Sequence, residues 1–171
     1  MELQAQGNGS SNLGNDGQWG HGPRSEEFVN QLNSILRGEI AAAETYAMAI
    51  EKMIEEGREP AHVALLRELR QEHVRAAQSI RGRIAAIGGI ADEGSGAWGA
   101  WAKFAIGTAQ IFGDSAVLRT LKDGEAHGLK DLEEAAKSVD AESAAMIEGE
   151  LAPAQVRHIR QLEEIINLLS S

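Results

Sequence analysis

Four stretches of this chain carry an apolar side chain at every third or fourth position, and in each stretch one ionisable residue takes a place on the apolar stripe. The first runs through Phe28, Leu32, Ile35, Glu39, Ala43, Tyr46, Ile50 and Met53. The second runs through Leu66, Leu69, His73, Ala76, Ala77, Ile80, Ile84 and Ile87. The third has Val117, Leu118, Leu121, Glu125, Gly128, Leu132 and Ala135, and the fourth Ile147, Leu151, Ala154, His158, Leu162, Ile165 and Leu169. Such spacing puts each set on one face of an α-helix, and that face must be buried against another. A carboxylate or imidazole buried alone is costly. The four helices therefore have to pack so that Glu39, His73, Glu125 and His158 find partners, which restricts the chain to an all-α bundle with a polar centre.

Local signals bound the helices at about 25–57, 60–88, 115–138 and 141–169. Ser25 suits an N-cap with Glu26 and Glu27 in the first turn, and Pro60 suits a first helical position. Gly57 and the Gly88-Gly89 pair suit helix ends, Asp114 or Ser115 can cap the third helix, and Asp140 can cap the fourth. Pro153 lies inside the fourth helix and should kink or loosen its first turns by removing a backbone donor. A short amphipathic segment at about 97–112, with Trp98, Trp101 and Phe104, is expected to cover an end or side of the bundle. Residues 1–24 hold six Gly, three Asn and Pro23 without apolar periodicity, the composition of a tail that cannot offset its ordering entropy. The expected layout is thus a disordered tail (1–24) and one bundle domain (25–171), with Trp19 and His21 outside any motif.

The two halves of the bundle repeat one another. Arg37-Gly38-Glu39 matches Asp123-Gly124-Glu125 at an offset of 86, carrying Leu32, Ile35 and Ala49 onto Leu118, Leu121 and Ala135. At an offset of 85, Leu66, His73 and Ile80 fall on Leu151, His158 and Ile165. Two similar hairpins, each supplying one Glu and one His, imply a two-fold related Glu2His2 cluster. Two imidazoles and two carboxylates between facing helices suit Fe(II), Mn(II) or Zn(II).

Composition removes competing classes. With no Cys, thiol catalysis, disulfides and thiolate metal sites are excluded, which fits a reducing cytoplasm. The net charge of -10 repels phosphate backbones, so nucleic acid is not an expected partner. The N-terminus lacks the basic-then-apolar order of a signal peptide, and the most apolar stretch, Ala97 to Phe112, is too short to span a membrane and carries Lys103. The expectation is a cytoplasmic protein without a membrane span. A second subunit or protein partner would use a helical face or the Trp98/Trp101 segment.

The motifs carry a resemblance. Leu32-Asn33, Leu36, Glu39 and Tyr46 are similar to the first helix of bacterioferritins, where a Leu-Asn-x-x-Leu-x-x-Glu pattern carries a di-iron ligand and a Tyr follows. Glu125, followed by Gly128, Asp131-Leu132 and Glu134-Ala135, resembles the segment bearing the bridging glutamate of the second hairpin. His158-Ile159 with Leu162-Glu163 resembles the histidine end of the Glu-x-x-His motif. The Gly-Glu pairs, Ile87-Gly88-Gly89, Gly94-Ser95-Gly96 and the late His158 resemble more closely a bacterial family of ferritin-like domains whose biochemical role is undefined. The resemblance implies a ferritin-like four-helix bundle and an iron or manganese site, used in iron handling or protection from oxidative stress, with no organic cofactor.

The departures from the pattern are equally specific. Where the motif has a glutamate three residues before each histidine, this chain has Arg70 and Gln155. Two carboxylates of a di-iron set are therefore replaced, and metal binding is better supported than ferroxidase turnover. Registering the second helix by its Gly-Gly end would put His73 at the glutamate position and Ala76 at the histidine position, with Glu72 as the nearest substitute ligand. The expected metal ligands are Glu39, His73, Glu125 and His158, flanked by Tyr46, Arg70, Glu72, His127 and Gln155. His127 stands two positions from Glu125 and so on another helix face. Tyr46 reads first as a packed ring with a satisfied hydroxyl. The competing reading is a metal-free bundle, serving as an interaction or stress-related structural protein, in which the Glu/His cluster is a hydrogen-bonded core and Arg70 a counter-ion.

Overall fold

Each apolar stripe forms the helix that its period requires. The computed structural model describes residues 23–109 and 114–169, and there the elements are α1 (Pro23–Glu55), α2 (Pro60–Ala86), α3 (Gly96–Ala109), α4 (Asp114–Ala135), α5 (Ala141–Met146), a π-helical turn (Ile147–Leu151) and α6 (Ala152–Leu169). No strand occurs among the described residues. The expected tail up to residue 22, with Trp19 and His21, lies outside them, as do residues 110–112 and the side chains of Trp98, Trp101 and Phe104. The partner surface expected at Trp98 and Trp101 therefore lies outside them too.

The four long elements pack as a bundle in which α1 lies against α2 and α4, and α6 closes the square against α4 and α2. Buried side chains show the direction of each helix. One apolar cluster holds Leu32, Leu36, Ala77, Ile84, Leu132 and Leu151; the other holds Ile50, Met53, Leu66, Leu69, Leu118 and Leu162. The chain therefore passes from the first cluster to the second in α1 and α6, and back in α2 and α4. The link from α2 to α4 must cross the whole bundle, one long crossover connection. Helix α3 lies on this link and packs on α1 and α4. Between the two clusters, the same four helices place Glu39, His73, Glu125 and His158, so the core is two apolar halves separated by a polar layer.

The ends of the first hairpin are set by backbone geometry. Gly57 (φ 66°) and Gly88 (φ 77°) take the left-handed conformation. After each, a backbone N–H reaches five residues back, Arg58 to Met53 at 2.9 Å and Gly89 to Ile84 at 2.9 Å. These are Schellman closures that satisfy terminal carbonyls. The crossover is then tied to α1 by Asn33, whose Nδ2 donates to Ile90 O at 2.9 Å and whose Oδ1 accepts from Asp92 N at 2.8 Å. Arg37 pairs with Asp92 beside it.

Several boundaries differ from the sequence expectation. Helix α1 starts at Pro23 rather than Ser25, where proline's missing donor has no helical partner to lose. Helix α4 ends at Ala135, after which Lys137 N and Ser138 N bond back to Glu134 O and Ala135 O in turns. Asp140 caps α5 as expected, accepting from Glu142 N and Ser143 N. The expected disturbance near Pro153 takes the form of the π turn directly before it: Ala152 N–H bonds Ile147 O, five residues back. The wider turn absorbs the donor that proline lacks and the ring's demand for space over the preceding turn. Leu169 ends α6 at 45% exposure, and the buried place in that last turn belongs to Ile166.

Candidate metal centre

The polar layer is built around the imidazole of His73. Helix α2 carries it at 1% exposure into the middle of the bundle, where its two ring nitrogens face carboxylates from two other helices. Nδ1 lies 2.7 Å from Glu39 Oε2 on α1, and Nε2 lies 2.9 Å from Glu125 Oε1 on α4. On the other side of Glu125, its Oε2 lies 3.3 Å from His158 Nδ1 on α6, and His158 Nε2 lies 3.1 Å from Glu72 Oε2 on α2. The result is an alternating chain, Glu39, His73, Glu125, His158, Glu72, that passes from α1 to α2, α4 and α6 and returns to α2. The two imidazole rings meet edge to face with centroids 5.0 Å apart.

All four sequence-predicted ligands are therefore together and buried, at 6% (Glu39), 1% (His73), 3% (Glu125) and 2% (His158) exposure. Donor atoms of His73, Glu125 and His158 all lie within 4.8 Å of one another. Glu39 stands one step outside this group, on the far nitrogen of His73, so its geometry is that of a residue that orients the ring. Glu72 has the equivalent place behind His158, where Arg157 also donates to it at 3.2 Å. The register that would have moved His73 out of its place is not the one adopted: His73 and Glu72 both join the chain.

The flanking residues divide. The Tyr46 hydroxyl donates to Glu125 Oε1 at 2.5 Å, and its ring packs at 5.3 Å from that of His73. The Gln155 amide donates to the backbone carbonyl of Glu125 at 3.2 Å. A Cβ on Gly128 would lie 2.6 Å from that amide nitrogen, so glycine there is what lets Gln155 approach. Arg70 does not serve as a counter-ion: its side chain is directed outward and Nε donates to Ala43 O at 3.3 Å. Residue 70 lies one turn before His73 but on an exposed part of α2. His127 is exposed, as its helix phase implies, with Nε2 3.5 Å from Asp131. Arg157 was not singled out by any periodic signal, because it approaches Glu72 only through the packing of α6 on α2.

Electrostatics follow from these contacts. Burial works against charge on His73, but the attraction and hydrogen bonds of Glu125 and Glu39 outweigh it and raise the imidazole to about 10. Burial likewise opposes ionisation of Glu125, and His73 with His158 overcomes it, holding the carboxyl at about 2. These two shifts express largely one attraction. Burial, reinforced by Glu125 and Glu39, pushes the Tyr46 phenol well above its usual range. Glu72, despite some burial, is lowered by His158 and Arg157. Among the described residues no buried side-chain nitrogen or oxygen lacks a hydrogen-bond partner.

The donor set fits a divalent cation. His73 Nε2, His158 Nδ1 and a Glu125 oxygen converge, and each imidazole has a carboxylate on its other nitrogen, the arrangement that fixes the orientation of metal-bound histidines. Two imidazoles and a carboxylate leave coordination positions open and suit Fe(II), Mn(II) or Zn(II). The dinuclear pattern is not met, because Arg70 lies outside and Gln155 contributes an amide bonded to a backbone carbonyl. Two cavities reach the cluster. One of about 360 Å³ opens between α2 and α6 and is bordered by Glu72, Arg75, Glu150 and Arg157. The other, of about 590 Å³, opens on the opposite edge, between α1 and α4. No helix among the described residues is long and apolar enough to cross a membrane. No protein-family model matches the chain, and comparison with curated proteins finds no match.

Proposed function

We propose that this chain is a metal-binding bundle protein holding one divalent ion, Fe(II) or Mn(II), through His73 Nε2, His158 Nδ1 and Glu125, with Glu39 and Glu72 orienting the two imidazoles. The observation that carries this reading is the convergence of three buried donors from α2, α4 and α6 within 4.8 Å of one another. The carboxylate behind each imidazole supports it further. Ion uptake would displace the proton from His73 Nε2. Iron handling or protection against oxidative stress is the cellular use that follows. The bound ion would supply a Lewis-acidic, redox-capable centre. The protein's residues would hold it, keep it from bulk water and fix the ring orientations.

Metal analysis of protein made without a polyhistidine tag tests the proposal. One equivalent of Fe or Mn is expected, lost in Glu125→Ala with His158→Ala. In Glu39→Gln it should be retained with about 10–100-fold weaker affinity, the usual consequence of removing an orienting carboxylate. Absence of metal after reconstitution with Fe(II), Mn(II) and Zn(II), together with a melting temperature unmoved by chelator, would overturn it. That outcome would favour the second reading, a metal-free structural or interaction bundle. The observation behind that reading is that both nitrogens of His73 are already bonded to carboxylates.

A further inference from the structure

The cavity between α1 and α4 reaches the cluster from the edge opposite the α2/α6 opening, and its inner wall is formed by buried Glu39, Tyr46, His73 and Glu125. Its volume of about 590 Å³ falls within the range of small-molecule sites. The side walls are apolar or small, with Ile35, Ala42, Leu121 and Leu132 among them, whereas the mouth carries Asp131, Glu134 and Lys137. An apolar interior with polar groups converging at its inner end is the composition of a ligand pocket.

The glycines give an independent indication. Gly38 and Gly124 occupy matching places in the two hairpins, each directly before a glutamate of the cluster, and both line this cavity. Neither has a positive φ, and a Cβ built on either meets nothing within 4 Å. Glycine in mid-helix weakens the helix, and here neither backbone conformation nor crowding requires it. Gly82 and Gly107 are equally uncrowded but have neither the adjoining glutamate nor the cavity. At Gly38 and Gly124, the missing side chains keep open the space in front of Glu39 and Glu125.

We infer that the α1/α4 cavity binds a small molecule with a hydrocarbon body and a neutral or cationic hydrogen-bond-donating head, the head directed at Glu39 and Glu125. The inner end presents two carboxylates against one imidazole, so an anionic head is disfavoured. A second copy of the chain is a poorer occupant: its helix would meet the charged mouth, whereas the centres of protein interfaces are depleted in charge. The inference does not depend on a metal at the cluster.

The test uses the full chain after chelator treatment, titrated calorimetrically with octylamine, octanol and octanoate, which share one hydrocarbon chain and differ in the head. Octylamine and octanol should bind saturably, with octanoate at least about tenfold weaker. Gly38→Leu with Gly124→Leu should melt no lower than the parent, because both side chains enter open space, and should lose binding by about tenfold or more. If that variant does not fold, Gly38→Ala with Gly124→Ala provides the same comparison with a smaller loss. Absence of binding by all three compounds overturns the inference, as does equal binding of all three that the substitutions leave unchanged. A dimer in sedimentation that the leucines dissociate, with no amphiphile binding, would assign the cavity to chain–chain contact. Since the protein is metal-free throughout, failure here leaves the metal proposal standing, and loss of metal binding leaves this one standing.

Discussion

Replacing Tyr46 by Phe removes one atom from the polar layer and leaves the ring where it packs. The hydroxyl is buried and donates to Glu125 Oε1 at 2.5 Å, while Glu125 retains His73 Nε2 at 2.9 Å and His158 Nδ1 at 3.3 Å. A hydrogen bond to a charged group contributes about 1.5–3 kcal/mol, and because the carboxylate keeps other partners the loss should lie near the lower end, about 1.5–2 kcal/mol. For a domain of this size that is a fall of about 3–8 °C in melting temperature. Urea unfolding followed by circular dichroism measures it, with an unchanged slope as the check that the native state is intact. Because the chain has one tyrosine, tyrosinate absorbance reports this site alone. The folded phenol is raised above its unfolded value of about 10, so between the two values the native state holds a proton that the unfolded state has lost. Its contribution is therefore fully present below pH of about 10 and is lost as pH rises through the folded value. The parent should lose stability faster than Tyr46→Phe above that pH, with tyrosinate appearing only as the protein unfolds. A loss below about 0.5 kcal/mol, or a folded protein whose tyrosine ionises near its ordinary value of about 10, would refute the reasoning.

Asp140→Ala removes the cap of α5 and the partner of Arg83 on α2, and should cost about 1–2 kcal/mol in urea unfolding. The Asp140 carboxyl is lowered by Ser143 and Arg83 against the effect of burial, so its contribution is present above the unfolded value of about 3.9 and lost as pH falls through the folded one. The parent and Asp140→Ala should accordingly converge in stability at acid pH. Gln155→Glu replaces an amide donor by a carboxylate facing the Glu125 carbonyl, and should lower stability of the chelated protein by about 1–3 kcal/mol, with added Mn(II) restoring part of it in a melting assay. Leu66→Ala, in the apolar half beyond the polar layer, should cost about 2–5 kcal/mol without changing metal stoichiometry.

Much of this architecture is local in origin. A stripe such as Leu118, Leu121, Glu125 and Leu132 is written into one stretch of chain, and its period makes a helix with that face inward whatever the neighbours are. The Asp140 cap and the effect of Pro153 are local in the same way. The repeat between hairpins similarly brought Glu39, His73, Glu125 and His158 into one layer, because matched positions on matched helices lie at matched heights.

What a helix period cannot contain is the axial stagger and rotation of one helix against another, and these were decided by packing. They put Glu39 behind His73 rather than beside His158, brought Glu72 and Arg157 to the outer end of the cluster, and turned Arg70 away from it. They also separated α1 from α4 enough to leave a cavity in front of two glycines that the sequence displayed without explaining. The sequence by itself thus determined the helices, their inward faces and the residues of the polar layer. The tertiary structure alone decided which atoms of that layer meet, because donor geometry depends on shifts of an ångström between helices and helical periodicity is insensitive to them.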